Sequence, residues 1–290
     1  MAGSLKSFID DVSALVSPPE VWFRINEVVN DPRSAASDVA DVTAHDPSLT
    51  AKLLKVVNSP FFNFPTRVDT VSRAVTILGT GELFSLVTAI TAAKVFSNIP
   101  NNLVKPATFW RHSICVGLIA RRLAHQCNVL HPERIYIAGM LHDIGSLLLY
   151  RKFPDKATQA LLAADGNEQV LYTLEREHFG FNHAEVGAEL LRRWNLPSTL
   201  VASIKFHHDP QSAPETGLEA GLIQIADTIA NRFDYSCFTE GKADPDGEPD
   251  PAAWGLTGLE SGTLGNAAEG LEDELAAAVA VFLPQGMGKR

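Results

Sequence analysis

The stretch Ala138-Gly-Met-Leu-His-Asp-Ile-Gly145 sets a histidine beside a carboxylate in an otherwise apolar run. A fold that buries this pair has to satisfy it, because an unpartnered polar group inside a core costs roughly 1–3 kcal/mol. A hydrogen-bonded His-Asp pair is one solution. A divalent cation is the other, since neutral imidazole and carboxylate both ligate such ions. The dipeptide alone does not choose between them. The choice turns on whether more His and Asp arrive from neighbouring helices.

The rest of the chain reads as helices, and no stretch alternates like a strand for a useful length. Glu20–Asn30 carries Val21, Ile25, Val28 and Val29 at helical spacing, and Ser34–Ala44 continues with Val39 and Val42. Asp46-Pro47 is an N-cap followed by proline at the first helical position. The helix it opens ends near Asn58-Ser59-Pro60, before an aromatic loop, Phe61 to Pro65. Thr70–Leu78 and Gly81–Phe96 follow, and Pro100–Pro106 marks a boundary. Beyond it, helices are expected over Thr108–Asn128, Pro132–Ile144 with Gly145 as its stop, Glu168–His178, a capping-box helix opening at Asn182, one from Pro197 to His207-His208, and Leu218–Arg232. Gly241–Gly270 is rich in Gly, Pro, Asp and Glu and reads as a long loop, with a short helix over Glu272–Leu283.

On these helices the inward polar residues of the second half are His112, His142, Asp143, His183, His207, His208 and Asp227. A lone inward histidine is more often a satisfied core residue than a ligand. Seven polar residues from different helices and helix ends are harder to satisfy that way. Two metals about 3.5–4 Å apart, bridged by a carboxylate, would satisfy them together, with Asp143 as the bridge. An N/O donor set suits Fe, Mn, Mg, Co or Zn, as one or two ions, and disfavours thiolate-type sites. His45, His125, His131 and His178 lie in turns or on polar segments and read as surface or structural residues.

Composition narrows the partners. The 290 residues carry a net charge of −10 and no basic run, which leaves no electrostatic footprint for a phosphate backbone, so nucleic acid is not expected. Cys115, Cys127 and Cys237 form no CxxC and read as free thiols of a reducing compartment. The N-terminus lacks a secretory pattern, and the best apolar run, Leu83 to Phe96, is too short for a bilayer. A cytoplasmic protein without a membrane span is expected.

The order His112, His142-Asp143, His183, His207-His208, Asp227 resembles the HD superfamily of metal-dependent phosphohydrolases. The flanking text narrows this. Asp46-Pro-Ser-Leu-Thr-Ala-Lys-Leu-Leu-Lys-Val-Val-Asn-Ser59, Ala74-Val-Thr-Ile-Leu-Gly79, Trp110-Arg-His-Ser113, Gly139-Met-Leu-His-Asp-Ile-Gly145, His183-Ala-Glu-Val-Gly187 and His207-His208 resemble the HDOD family over roughly residues 12 to 232. The resemblance implies an all-α fold, an N-terminal helical bundle (12–100) packed on a variant HD-domain helical core (106–235), with the tail, 241–290, outside it. It also implies a bacterial signal-transduction module, mostly without catalysis. Related HD-GYP phosphodiesterases carry HDIGK, where this chain has Ser146, and a GYP motif after the paired histidines, which is absent here. A serine cannot neutralise a transferring phosphoryl group.

Two readings follow. The first is a non-catalytic regulatory module with a metal site and a signalling protein partner. The second is a metal-dependent phosphohydrolase of a nucleotide or cyclic dinucleotide, with Asp143 at its catalytic centre. An iron-based redox or oxygen sensor is a third, weaker use of the same ligands.

Overall fold

The computed structural model describes residues 4–13, 16–59, 62, 64–96, 103–232 and 247–283. Phe61 and Cys237, singled out above, and the start of the acidic tail at Gly241 lie outside them. Among the described residues the chain is all-α, with no strand. By its contacts it divides into two units, Met1–Val16 with Ile99–Leu271, and Ser17–Asn98 with Glu272–Arg290. In the sequence the division falls at 100–106, and the contact grouping changes unit between Asn98 and Ile99. The first sixteen residues instead go with the larger unit, and the chain from Glu272 goes with the smaller.

The smaller unit is built from α2 (Glu20–Asn30), α3 (Ala36–Ala44), α4 (Pro47–Val57), α5 (Val71–Leu78) and α6 (Thr80–Phe96). Asp46 caps α4 by accepting from the Leu49 amide at 3.0 Å. Asn58 then clasps the following loop. Its side-chain amide donates to the Leu54 and Val68 carbonyls, and its oxygen accepts from the Val68 amide at 2.7 Å. The helix α6 is apolar around its whole circumference and buried on every side, the mark of a central helix. Its one interior hydroxyl that faces a tryptophan, Thr88, donates to the Phe84 carbonyl and accepts from Trp22 Nε1, so nothing polar there is stranded.

The larger unit holds α1 (Leu5–Ser13), α7 (Pro106–Gln126), α8 (Pro132–Leu141), α9 (Ile144–Lys152), α10 (Pro154–Ala164), α11 (Glu168–Phe179), α12 (His183–Arg193), α13 (Ser198–Lys205), α14 (Gly217–Arg232), α15 (Pro251–Thr257) and α16 (Thr263–Ala268). The last helix, α17 (Leu271–Phe282), belongs to the smaller unit from Glu272 on. Two close approaches fix the frame of the site. A Cβ on Gly117 of α7 would lie 2.7 Å from the Tyr136 carbonyl of α8, and one on Gly139 would lie 2.9 Å from Gly117 Cα. Only glycine lets α7 and α8 run this close, which brings His112 near His142. The second is tighter. A Cβ on Gly145 would sit 2.1 Å from the His183 carbonyl and 2.6 Å from the Gly187 amide.

Gly145 therefore does not end a helix, as its place in the sequence suggested. It lies in the first turn of α9, and its role is contact with α12. The break falls earlier, at His142-Asp143, so Pro132–Ile144 is not one helix. The helix expected to reach His207-His208 stops at Lys205, which leaves both histidines in a turn. The 241–270 stretch is not simply a loop either. Asp250 caps α15 through the Ala252 amide at 2.7 Å, and α15 packs on α14, where a Cβ on Gly221 would meet Ala253 and Thr257. Arg122 of α7 donates to the Ala267 and Glu269 carbonyls, holding the end of α16. The helices α1, α9 and α10 carry weaker sequence signals and were not expected. Phe8 anchors α1 by stacking on Phe153 and packing on Phe181.

Candidate metal centre

All seven residues expected to face inward do so, and they meet at one place in the larger unit. None is more than 6% exposed. His112 comes from α7, His142 from the end of α8, Asp143 from the start of α9, His183 from the first turn of α12, His207 and His208 from the turn after α13, and Asp227 from α14. Asn182 caps α12 through the reciprocal box with Glu185, which points His183 at the centre.

The two oxygens of Asp143 face two different groups. Its Oδ2 lies 3.3 Å from His142 Nε2 and 4.0 Å from His112 Nε2, and Asp227 Oδ1 completes that side at 3.1 Å from His112 and 3.7 Å from His142. Its Oδ1 lies 3.3 Å from His183 Nε2 and 3.9 Å from His207 Nε2, with His208 Nε2 3.0 Å from His183 Nε2. Donor atoms about 2.1 Å from a shared ion and at right angles lie about 3 Å apart. The spacings here have that size, and one carboxylate spans both groups.

Ring tautomers are fixed from behind. His142 Nδ1 faces the Gly139 carbonyl at 2.7 Å, and His207 Nδ1 faces the Ile204 carbonyl at 2.6 Å. His183 Nδ1 faces Glu175 Oε2 at 2.6 Å. A carbonyl or carboxylate can only accept, so in each ring the proton sits on Nδ1 and the Nε2 lone pair points inward in the neutral form. His142 Nε2 and His207 Nε2 then have no hydrogen-bond partner. Lone pairs that converge on carboxylate oxygens in a buried space repel one another unless a cation or extra protons lie between them. The residues present fit a divalent cation on this count, and the N/O donor set fits Mn, Fe, Co or Zn.

Protonation follows the same geometry. Burial alone would lower His142 and raise Asp143 and Asp227. The mutual attraction of the imidazoles and carboxylates outweighs it, lifting His142 well above the usual histidine range and holding both carboxyls well below theirs. His183 is also raised, because Glu175 and Asp143 more than offset its burial. Burial and the neighbouring imidazoles push His207 down to about 3 and His208 well below its usual range, so both are neutral donors.

Four residues went unread in the sequence. Glu175 is fully buried and accepts from both the His183 amide and its Nδ1. Tyr172 packs its ring 4.9 Å from that of His208. Glu168 lines a cavity of about 110 Å³ beside His208 and Asp227. Burial, with Asp227 and Asp143 nearby, pushes its carboxyl well above the usual range. Asn231 donates to Asp227 Oδ1 at 3.0 Å. The signal was there for three of them. Glu168, Tyr172 and Glu175 stand at i, i+4 and i+7 on α11, one stripe of a helix. His45, His125 and His131 are exposed and His178 half-buried, away from this group.

The chain matches the HDOD domain over residues 15–210. A solved HDOD domain protein of unknown function from Geobacter sulfurreducens is 26% identical, with a TM-score of 0.72 over 96% of this chain and 97% of that one. A Shewanella amazonensis SB2B protein, provisionally named a phosphohydrolase, is 29% identical, with a TM-score of 0.66 over 98% and 97%. An uncharacterized protein of Treponema pallidum is 30% identical over 220 residues, which are 74% of this chain but only 41% of that relative's length. Among the described residues no single helix is long and apolar enough to cross a membrane. The match spans well over half of the 290 residues, and the chain belongs to the HDOD domain family.

Proposed function

We propose that this chain is a regulatory module that holds one or two divalent cations at the His-Asp centre and acts through a signalling protein partner, without turning over a nucleotide. One observation carries the reading. Two groups of buried donors that could hold a metal share Asp143, yet the cavity beside them is about 110 Å³, against roughly 300–1,000 Å³ for small-molecule sites. Ser146, where the related phosphodiesterases carry a lysine, points the same way.

The second reading, a metal-dependent phosphohydrolase, draws on the same ligand set and on the Shewanella relative. In that reading the bound cations supply an acidified water and charge stabilisation. Asp143 would bridge them, and the buried histidines would hold them with Nε2. Glu175 would keep His183 in its Nδ1–H tautomer.

Incubating metal-loaded protein with nucleoside triphosphates, diphosphates and cyclic dinucleotides separates the two. The regulatory reading expects no hydrolysis above a His142→Ala/Asp143→Ala control. Turnover of any one compound, lost in that control, would establish the hydrolase.

A further inference from the structure

The metal-binding reading leaves Glu168 unexplained. The residue as a whole is half-buried, but its Oε1 has no exposed surface and no hydrogen-bond partner. Asn167 caps α11 by accepting from the Val170 amide, so the backbone of this turn does not need the Glu168 side chain. A carboxylate oxygen enclosed without a donor is costly. It lines the same small cavity as His208 and Asp227, which belong to the two halves of the centre.

The other walls of that cavity are informative. Gln224, Thr228 and Asn231 of α14 line it, and so does Glu248. Among the described residues no Lys or Arg lines it. Arg232, in the last turn of α14, is engaged by Glu248 and the Gly247 carbonyl. Sites that take phosphate esters present Arg, Lys or helix amides to the phosphate oxygens. The first turn of α11 also lines this cavity, but three carboxylates, Glu168, Asp227 and Glu248, surround the same space together with amide side chains. It is large enough for a few waters or a hydrated cation, and its charge suits a cation.

We propose that Glu168 is a further ligand of the centre, giving a carboxylate oxygen to a divalent cation from the side of Asp227 and His208. The proposal rests on the metal-binding reading above. It specifies that one of the chain's own carboxylates takes a place at the centre on the side of this cavity. It also gives the enclosed Oε1 its missing partner.

Cobalt(II) titration of the full chain tests this, read by stoichiometry, affinity and the visible absorption of the bound ion. Glu168→Gln keeps the shape and removes the charge. Glu168→Asp keeps the charge and withdraws the carboxylate by one methylene. Glu248→Gln removes the charge of a lining carboxylate that is already paired with Arg232. A ligand role predicts that E168Q and E168D each weaken binding about tenfold or more and change the absorption spectrum, while E248Q leaves the spectrum as in the wild type. Millimolar inorganic phosphate is expected to leave the wild-type spectrum unmoved. Wild-type affinity and spectrum in E168D would overturn the proposal, since charge without position would then suffice. Equal weakening by E168Q and E248Q, or a wild-type spectrum that phosphate perturbs, would also overturn it. A wild-type chain that binds no cobalt would remove the metal-binding reading as well, whereas normal binding in E168Q with an unchanged spectrum would remove only this inference.

Discussion

Gly145→Ala puts one methyl group at the tightest backbone contact of the site. The added Cβ would fall 2.1 Å from the His183 carbonyl oxygen and 2.6 Å from the Gly187 amide nitrogen. Ordinary contact begins near 3.4 Å, so α9 and α12 must separate by more than an ångström. Both neighbours are backbone atoms and cannot rotate away. Overpacking of this kind costs about 1–3 kcal/mol, and the backbone contact places this site toward the upper end. For a unit of this size that is a fall in Tm of about 5–10 °C. The same shift moves the first turn of α12, and with it His183, so metal affinity should fall alongside stability. Gly81→Ala is the matched control. Its Cβ meets nothing within 4 Å, and alanine there should leave Tm unchanged or slightly higher. Thermal unfolding followed by helical circular dichroism, with and without added metal, reads both variants. A Gly145→Ala protein as stable as Gly81→Ala, with unchanged metal binding, would refute the claim that this contact positions the site.

Three further outcomes are expected. Glu175→Gln should keep the fold and lower metal affinity about 10- to 100-fold, because it removes the charge behind His183 Nδ1; affinity within threefold of wild type by titration would contradict this role. Metal affinity should rise with pH through the neutral range and protons should be released on binding. His142 and His183 are raised and so hold their protons to higher pH than an ordinary histidine, which means proton competition strengthens as pH falls; a pH-independent dissociation constant would count against it. Asn58→Ala should cost the smaller unit about 1–2 kcal/mol in urea unfolding, since the clasp on Val68 is lost, and should leave the metal centre untouched.

What could be read from the chain depended on how local its cause was. The boundaries of α2 and the caps of α4 and α12 follow from residues within one turn, and sequence reasoning reached them. The burial of His112, His142 and Asp227 was legible because each interrupts an apolar helix face, whereas His207 and His208 lie in a turn that the helical reading did not foresee. Gly145 was misread because its reason lies on another helix. From the sequence a glycine after a helical run looks like a stop, whereas its contact with His183 exists only once α9 and α12 pack. The tail was misread for a different reason. Its composition masked a local signal, Asp250-Pro251, that is the same cap-and-proline pair correctly used at Asp46-Pro47. Glu168 and Glu175 were passed over because charged residues on a polar helix are usually solvated, and only the convergence of α11 on the histidines shows otherwise.

The central claim is that the converging lone pairs at Asp143 hold a divalent cation. Metal content per chain tests it most directly, in protein purified without added metal or a nickel column, beside a His142→Ala/Asp143→Ala control. The account predicts one to two equivalents of a divalent metal in the wild type and loss in the folded control. A wild-type chain that carries no metal, and takes up none on titration with Mn, Fe, Co or Zn, would contradict it and leave the seven residues as a polar core satisfied by shared protons.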